Sequence, residues 1–213
     1  MSDAAGDDVT PMFPLGMVLL PGSAIPLHVF EPRYRQMVRD LLARDDPPRF
    51  GQVLITQGRD TGGDDRRADV GVLAEMASIR ALEGGRYGFL AVGLQRVRVL
   101  EWFADEPYPR ARLEPWDDRP DAAEGVADRI EALRERILGV LALAQELEPL
   151  LEVPTDQQLP SEPSAASFAL CALAPIGESD RLRLLAADGP DDRLAGLADA
   201  LDDVEAMLRF RLS

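Results

Sequence analysis

FPLGMVLLPGSAIPLHVFEPRYR, residues 13–35, is the stretch on which the fold turns. Met12 to Leu15 and Val18 to Leu20 are short apolar pieces, and Pro21-Gly22 after them is a turn signal. Ala24 to Val29 reads as another short extended piece. Pro14, Pro21 and Pro26 suit strand edges and turns, because proline has no N–H to give to a sheet ladder. Glu31-Pro32 then reads as a helix start. Proline fits the first helical position, where its missing N–H costs nothing, and Glu31 puts negative charge at the positive end of the helix dipole. Tyr34, Met37, Val38, Leu41 and Leu42 follow at helical spacing as one apolar stripe.

Working outward, Phe50 to Thr56 predicts a strand, and the polar, glycine-rich run from Gly58 to Ala68 predicts an exposed loop. Asp69 to Arg80 alternates, with Val70, Val72, Ala74 and Met76 on one side. Glu83-Gly84-Gly85 is a hairpin turn. Arg86 to Phe103 is long and extended, with a bulge expected near Gly93. Arg96 and Arg98 alternate with Val97 and Val99, as in a half-exposed strand. Tyr108 to Glu114 closes the section. Short strands, glycine turns and one early helix predict a closed or nearly closed β-barrel.

The composition changes at Trp116 to Ala123. Beyond it, Val126, Ile130, Leu133, Ile137, Leu141, Ala144 and Leu147 mark a long amphipathic helix. A helix capped by Ser161 follows the loop Pro154–Pro160, then a short one capped by Ser179 or Asp180, then a last one with Leu194, Leu197, Leu201, Val204 and Leu208. The expected class is α+β. A disordered tail (1–11) precedes the barrel (12–118), and a helical bundle (119–213) packs on it.

The chain has 213 residues and a net charge of −15. Residues 1–120 hold 15 arginines against 19 acids, a balance of −4, whereas residues 121–213 hold 8 against 19, a balance of −11. Such a surface opposes nucleic acid, whose binding rests on neutralising phosphates. No apolar run is long enough to span a membrane. The acidic start is unlike a signal peptide, so a cytoplasmic protein is expected. All 23 basic residues are arginine. Without lysine there is no P-loop, no Ser–Lys dyad and no Schiff base, which removes ATP-driven and lysine-based chemistry. One histidine and one cysteine make a His/Cys metal site improbable, and Asp60, Asp64 and Asp65 miss the EF-hand spacing, so neither metal nor cofactor is expected. Cys171 lies in an apolar helical run and reads as a small buried filler.

Residues 13–35 closely resemble the opening signature of the Lon N-terminal domain family. Phe50-Gly51-Gln52-Val53-Leu54-Ile55 is similar to the family's second strand block. Val70-Gly71-Val72-Leu73-Ala74 is similar to its V-G-T-x-A strand, with Val72 for Thr. Gly84-Gly85-Arg86 and Val92 to Val99 resemble its D-G-R…V-x-G-x-x-R-x-x-V block, with Gly84 for Asp. Residues 12–118 carry these motifs, and the helical part matches in pattern only. The resemblance implies a PUA-like β-barrel followed by helices. It also implies a stand-alone domain, with neither ATPase nor protease, that recognises polypeptide substrates; the expected role is binding of unfolded or exposed polypeptides in the service of protein quality control.

The block from Pro21 to Tyr34 is where such a client is expected. It brings apolar Ile25, Leu27 and Phe30 close to polar His28, Glu31 and Arg33, with Tyr34 beside them. Phe30, Tyr34 and Trp102 either line an apolar groove or fill the core. His28 has Ser23 and Glu31 near in sequence, but there is no G-x-S-x-G elbow to make a triad of them. Two other function classes stay open: a hydrolase working through carboxylates, and an RNA-binding PUA-like module, which the charge opposes.

Overall fold

The computed structural model describes residues 9–57, 66–119, 125–148 and 158–212. The chain divides into two compact units, residues 1–117 and 118–213. Among the described residues the first holds a mixed six-stranded sheet and one α-helix, and the second holds four α-helices.

The strands are β1 (Val9–Leu15), β2 (Ala24–Val29), β3 (Arg49–Gln57), β4 (Arg66–Leu82), β5 (Arg86–Phe103) and β6 (Arg110–Pro115), with helix α1 (Pro32–Leu42) between β2 and β3. Their order is β2-β5-β4-β3-β1-β6, and β6 also pairs with β5. β1 and β3 run parallel, while the other ladders are antiparallel. The long β4–β5 hairpin turns through Gly84 and Gly85, both at positive φ, a conformation that favours glycine. Its ladder slips one residue between Leu73–Gln95 and Ala74–Gly93, leaving Leu94 as the bulge. The core of this unit stacks Phe13 on Tyr34 of α1 at 4.2 Å, with Phe50 and Phe89 continuing the aromatic row. Met37, Val38 and Leu41 complete the buried stripe of α1, but Leu42 is exposed.

Several expectations need correction. β1 begins at Val9, because Val9 to Pro11 pair with β6, so residues 9–11 are not part of a disordered tail. The first eight residues lie outside the described ones. Val18 to Leu20 are buried but form no strand. The buried Gln52 side chain takes the place of a ladder, accepting from Leu19 N at 3.0 Å and donating to Met17 O at 2.7 Å. Arg66 to Ala68 open β4 rather than close a loop, and Gly58 to Asp65 lie outside the described residues. Arg96 is buried, not half-exposed. Its guanidinium donates to the carbonyls of Trp116 and Asp117, and it shares the Trp116 ring with Arg98, at 4.0 and 3.7 Å from the centroid. A charge can be buried when its donors are met this way.

The second unit comprises α2 (Val126–Leu147), α3 (Pro163–Leu173), α4 (Glu178–Leu185) and α5 (Pro190–Leu212). α5 packs against α2, α3 and α4, burying Leu194, Leu197, Leu201 and Leu208. Glu162, not Ser161, caps α3: with Pro163 in the first turn, its carboxylate accepts from Ser164 N and Ala165 N. α4 likewise starts earlier than expected, with Gly177 at the cap position. Most of the Pro154–Pro160 loop, residues 154–157, lies outside the described residues. The fully buried Arg193 organises the unit. Its Nη1 and Nη2 meet the two Asp118 oxygens at 3.0 and 2.6 Å, Nη1 also donates to Ser167 Oγ, and Nε donates to Leu184 O. The guanidinium lies 3.5 Å from the centroid of Phe168. Cys171 is buried, and loss of hydration pushes its thiol up to about 12, which leaves it an unreactive filler.

Candidate functional site

The turn at Pro21-Gly22 sets up the site. Ser23 N–H donates to Leu20 O at 3.1 Å with Gly22 at φ +77°, the Pro-Gly order of a type II turn. The turn lies directly on Gly93, which exchanges backbone hydrogen bonds with Gly22 and Ser23. A Cβ on Gly93 would sit 2.3 Å from Leu20 O, so only glycine allows this approach. β2 leaves the turn along β5, from Ala24 opposite Val92 to Val29 opposite Tyr87. Only Phe30 and Glu31 separate it from α1. Phe30 therefore falls at the corner between strand and helix, and the residue is 59% exposed.

A cavity of about 160 Å³ opens at this corner. It is lined by Phe13, Pro14 and Leu15 of β1, His28 and Val29 of β2, Phe30 and Glu31 of the connection, and Tyr34 of α1. The structure thus brings together four of the seven expected residues: His28, Phe30, Glu31 and Tyr34. Ile25 and Leu27 are half-buried against β5 and do not reach the cavity, and Arg33 does not line it. Arg33 stands beside the cavity instead. Its Nε donates to the Glu31 carboxylate at 3.0 Å, and its guanidinium lies 4.5 Å from the Tyr34 centroid. Glu31 thus lines the cavity as one half of an ion pair. It makes no side-chain hydrogen bond to the helix start.

The groove-or-core question for the aromatics divides by residue. Phe30 is exposed and lines the cavity, so it is not core. Tyr34 is core, 3% exposed, and is also one of the residues that line the cavity. Trp102 packs on the Met12, Val53 and Ala111 cluster, away from the cavity. Phe13, Pro14, Leu15 and Val29 were not expected at the site. Periodicity marks Phe13 and Leu15 as strand residues, but which cavity a strand borders follows from pairing over long sequence distances. The lining offers apolar contact with two polar groups, His28 and Glu31. Among the described residues no cluster of three or more His, Cys, Asp or Glu side chains could hold a metal ion, and no helix is long and apolar enough to cross a membrane.

Comparison with known proteins bears on this geometry. The family model of the ATP-dependent protease La (LON) substrate-binding domain matches residues 9–203. The chain is 27% identical over 211 residues to a LON peptidase N-terminal domain and RING finger protein of Schizosaccharomyces pombe, covering 86% of this chain and 43% of that one. It is 29% identical over 210 residues to a Lon protease of Anaeromyxobacter dehalogenans, covering 96% of this chain and 22% of that one. The chain therefore spans less than half the length of these curated relatives. Among solved structures, the Lon N-terminal domain protein from Xanthomonas campestris superposes with a TM-score of 0.62 at 26% identity, covering 90% of this chain and 97% of that one.

Proposed function

The chain belongs to the LON substrate-binding domain family and has the fold of a Lon N-terminal domain, and on that premise we propose that it binds exposed polypeptide segments at the cavity between β1, β2 and α1. The observation that carries this reading is Phe30, a residue 59% exposed that lines a cavity of about 160 Å³ together with Phe13 and Tyr34. A large apolar side chain held out beside a concavity is what recognition of an apolar guest requires. His28, Phe30, Glu31 and Tyr34 form the site, with Arg33 paired to Glu31, and Ile25 and Leu27 stiffening β2 beneath it. Because the rim charge is compensated, affinity comes from apolar contact and is weak, since ordering a flexible segment costs entropy.

The role is recognition without chemistry, because the matched region is a substrate-binding domain and a chain without lysine carries neither P-loop nor Ser–Lys dyad. A part in protein quality control and a cytoplasmic setting belong to the same reading. So does the description of the first unit as a PUA-like barrel, which the pairing of β6 with both β1 and β5 supports. The test is a peptide array on the purified protein, followed by titration of the tightest binders against Phe30→Ala at low and high salt. The expected result is binding that falls at least fivefold in the folded variant and resists salt. Unchanged binding would remove Phe30 from the site, and binding that collapses with salt would point to an electrostatic ligand such as RNA.

A further inference from the structure

The cavity lies where the sheet is split. Among the described residues no ladder joins β1 to β2, although both strands border one cavity. Met12 N–H donates to Pro109 O, so Met12 turns its backbone polar groups toward β6. By strand alternation Pro14 turns to that same side, beyond the point where β6 begins. On the other lip, Gly93 N–H donates to Ser23 O, so Ser23 faces β5 and, again by alternation, Ala24, Pro26 and His28 face away from it. Each lip therefore carries a proline on the edge where a further strand would have to pair. Neither proline has an N–H to give, so pairing of the two edges with one another would lack a donor on each side.

The same chemistry limits how a guest is held. A segment laid along either edge as an added strand would find a donor missing at Pro14 or at Pro26. Its side chain has somewhere to go, because this open cavity of about 160 Å³, with His28 and Glu31 in its lining, is close in volume to the ~150 Å³ that holds a benzene ring in an enclosed apolar site. Phe13, Val29, Phe30 and Tyr34 supply apolar wall. We propose that the split between β1 and β2 takes one side chain of leucine or phenylalanine size from an extended polypeptide, and grips the segment by that side chain rather than by strand addition. The proposal rests on the substrate-binding reading above and adds to it the size of the anchor and the mode of its capture.

The experiment uses the whole chain, isotopically labelled, with a serine-glycine host peptide carrying one central guest residue: Gly, Ala, Leu or Phe. Affinity and location are read from amide chemical shifts. Denatured casein serves as a general unfolded client. Leu and Phe guests should bind at least about tenfold more tightly than Ala, the difference expected for burying a large apolar side chain. Shifts should centre on residues 13–15 and 28–34. N-methylation of the two peptide bonds flanking the guest should change affinity less than twofold. In Phe30→Ala, with its melting temperature unchanged, the advantage of Phe over Ala should fall below threefold. A tenfold loss on N-methylation, or equal binding of all guests, overturns the anchor proposal and leaves polypeptide binding standing. Binding of casein without shifts at residues 13–15 and 28–34 does the same. Failure of casein and every peptide to bind overturns the substrate-binding reading and the anchor with it.

Discussion

Phe30 and Tyr34 are four residues apart and have opposite duties. Truncating Phe30, more than half exposed, should leave stability within about 0.5 kcal/mol of the parent, as for surface substitutions generally. Truncating Tyr34, whose ring stacks on Phe13, should cost roughly 3–5 kcal/mol. Urea denaturation of the two variants checks both, and a large loss in Phe30→Ala would make its ring a structural one. The sequence made both aromatics visible but could not part them. Helical spacing turns Tyr34 inward with Met37, Val38 and Leu41, whereas Phe30 sits on a corner where neither period applies. The arginines were less legible. Arg96 and Arg193 look like surface charge in their own elements, and their burial depends on Trp116 and Asp118, which lie 20 and 75 residues away. Removing Asp118 from such a cluster would leave a buried charge unpaired, which is the costly way to break it.

At the scale of elements, glycines and single side chains decide how pieces dock. Gly93→Ala should destabilise the first unit by roughly 1–3 kcal/mol, because the added methyl meets the Leu20 carbonyl, a backbone atom that cannot swing aside. Thermal melting measures it, and a neutral result would mean that the Pro21-Gly22 turn is free to lift off β5. In the second unit Arg136 of α2 meets Glu205 of α5 at 2.8 Å. The hydrogen bond from Arg136 is the main cause that holds the Glu205 carboxyl below its usual value. A depressed carboxyl stabilises the fold above its unfolded pKa, about 4.3, and that contribution is lost as pH falls through the lower folded value. Glu205→Gln should therefore be less stable than the parent at pH 7, with the gap narrowing below pH ~4. Denaturant midpoints at pH 7 and pH 3 test this, and a gap independent of pH would make the contact one of packing. Long strands, turns and the periodic α2 were legible because local pattern specifies them. Val18 to Leu20 misled because their amide is satisfied by Gln52, a side chain 33 positions further on.

For the molecule as a whole, absent residue types say as much as present ones. With 23 arginines and no lysine, purified protein should neither hydrolyse ATP nor cleave casein. Coupled-enzyme and fluorescent-casein assays check this, and metal-independent, ATP-driven cleavage by clean protein would contradict the recognition-only role. The seven expected site residues were drawn from one contiguous stretch, and four of them meet at the cavity. The other wall belongs to β1, whose placement depends on the parallel ladder with β3 that no local pattern announces. The two prolines on the lips of the split have a kinetic consequence. If edges that each lack a donor leave the opening present before any guest arrives, encounter does not wait for a gate, and affinity is not diluted by time spent shut. In stopped-flow mixing with a leucine-bearing peptide, the observed rate should climb in a straight line with peptide concentration. A plateau would reveal a hidden opening step, and with it a second shape of the corner where β2 meets α1.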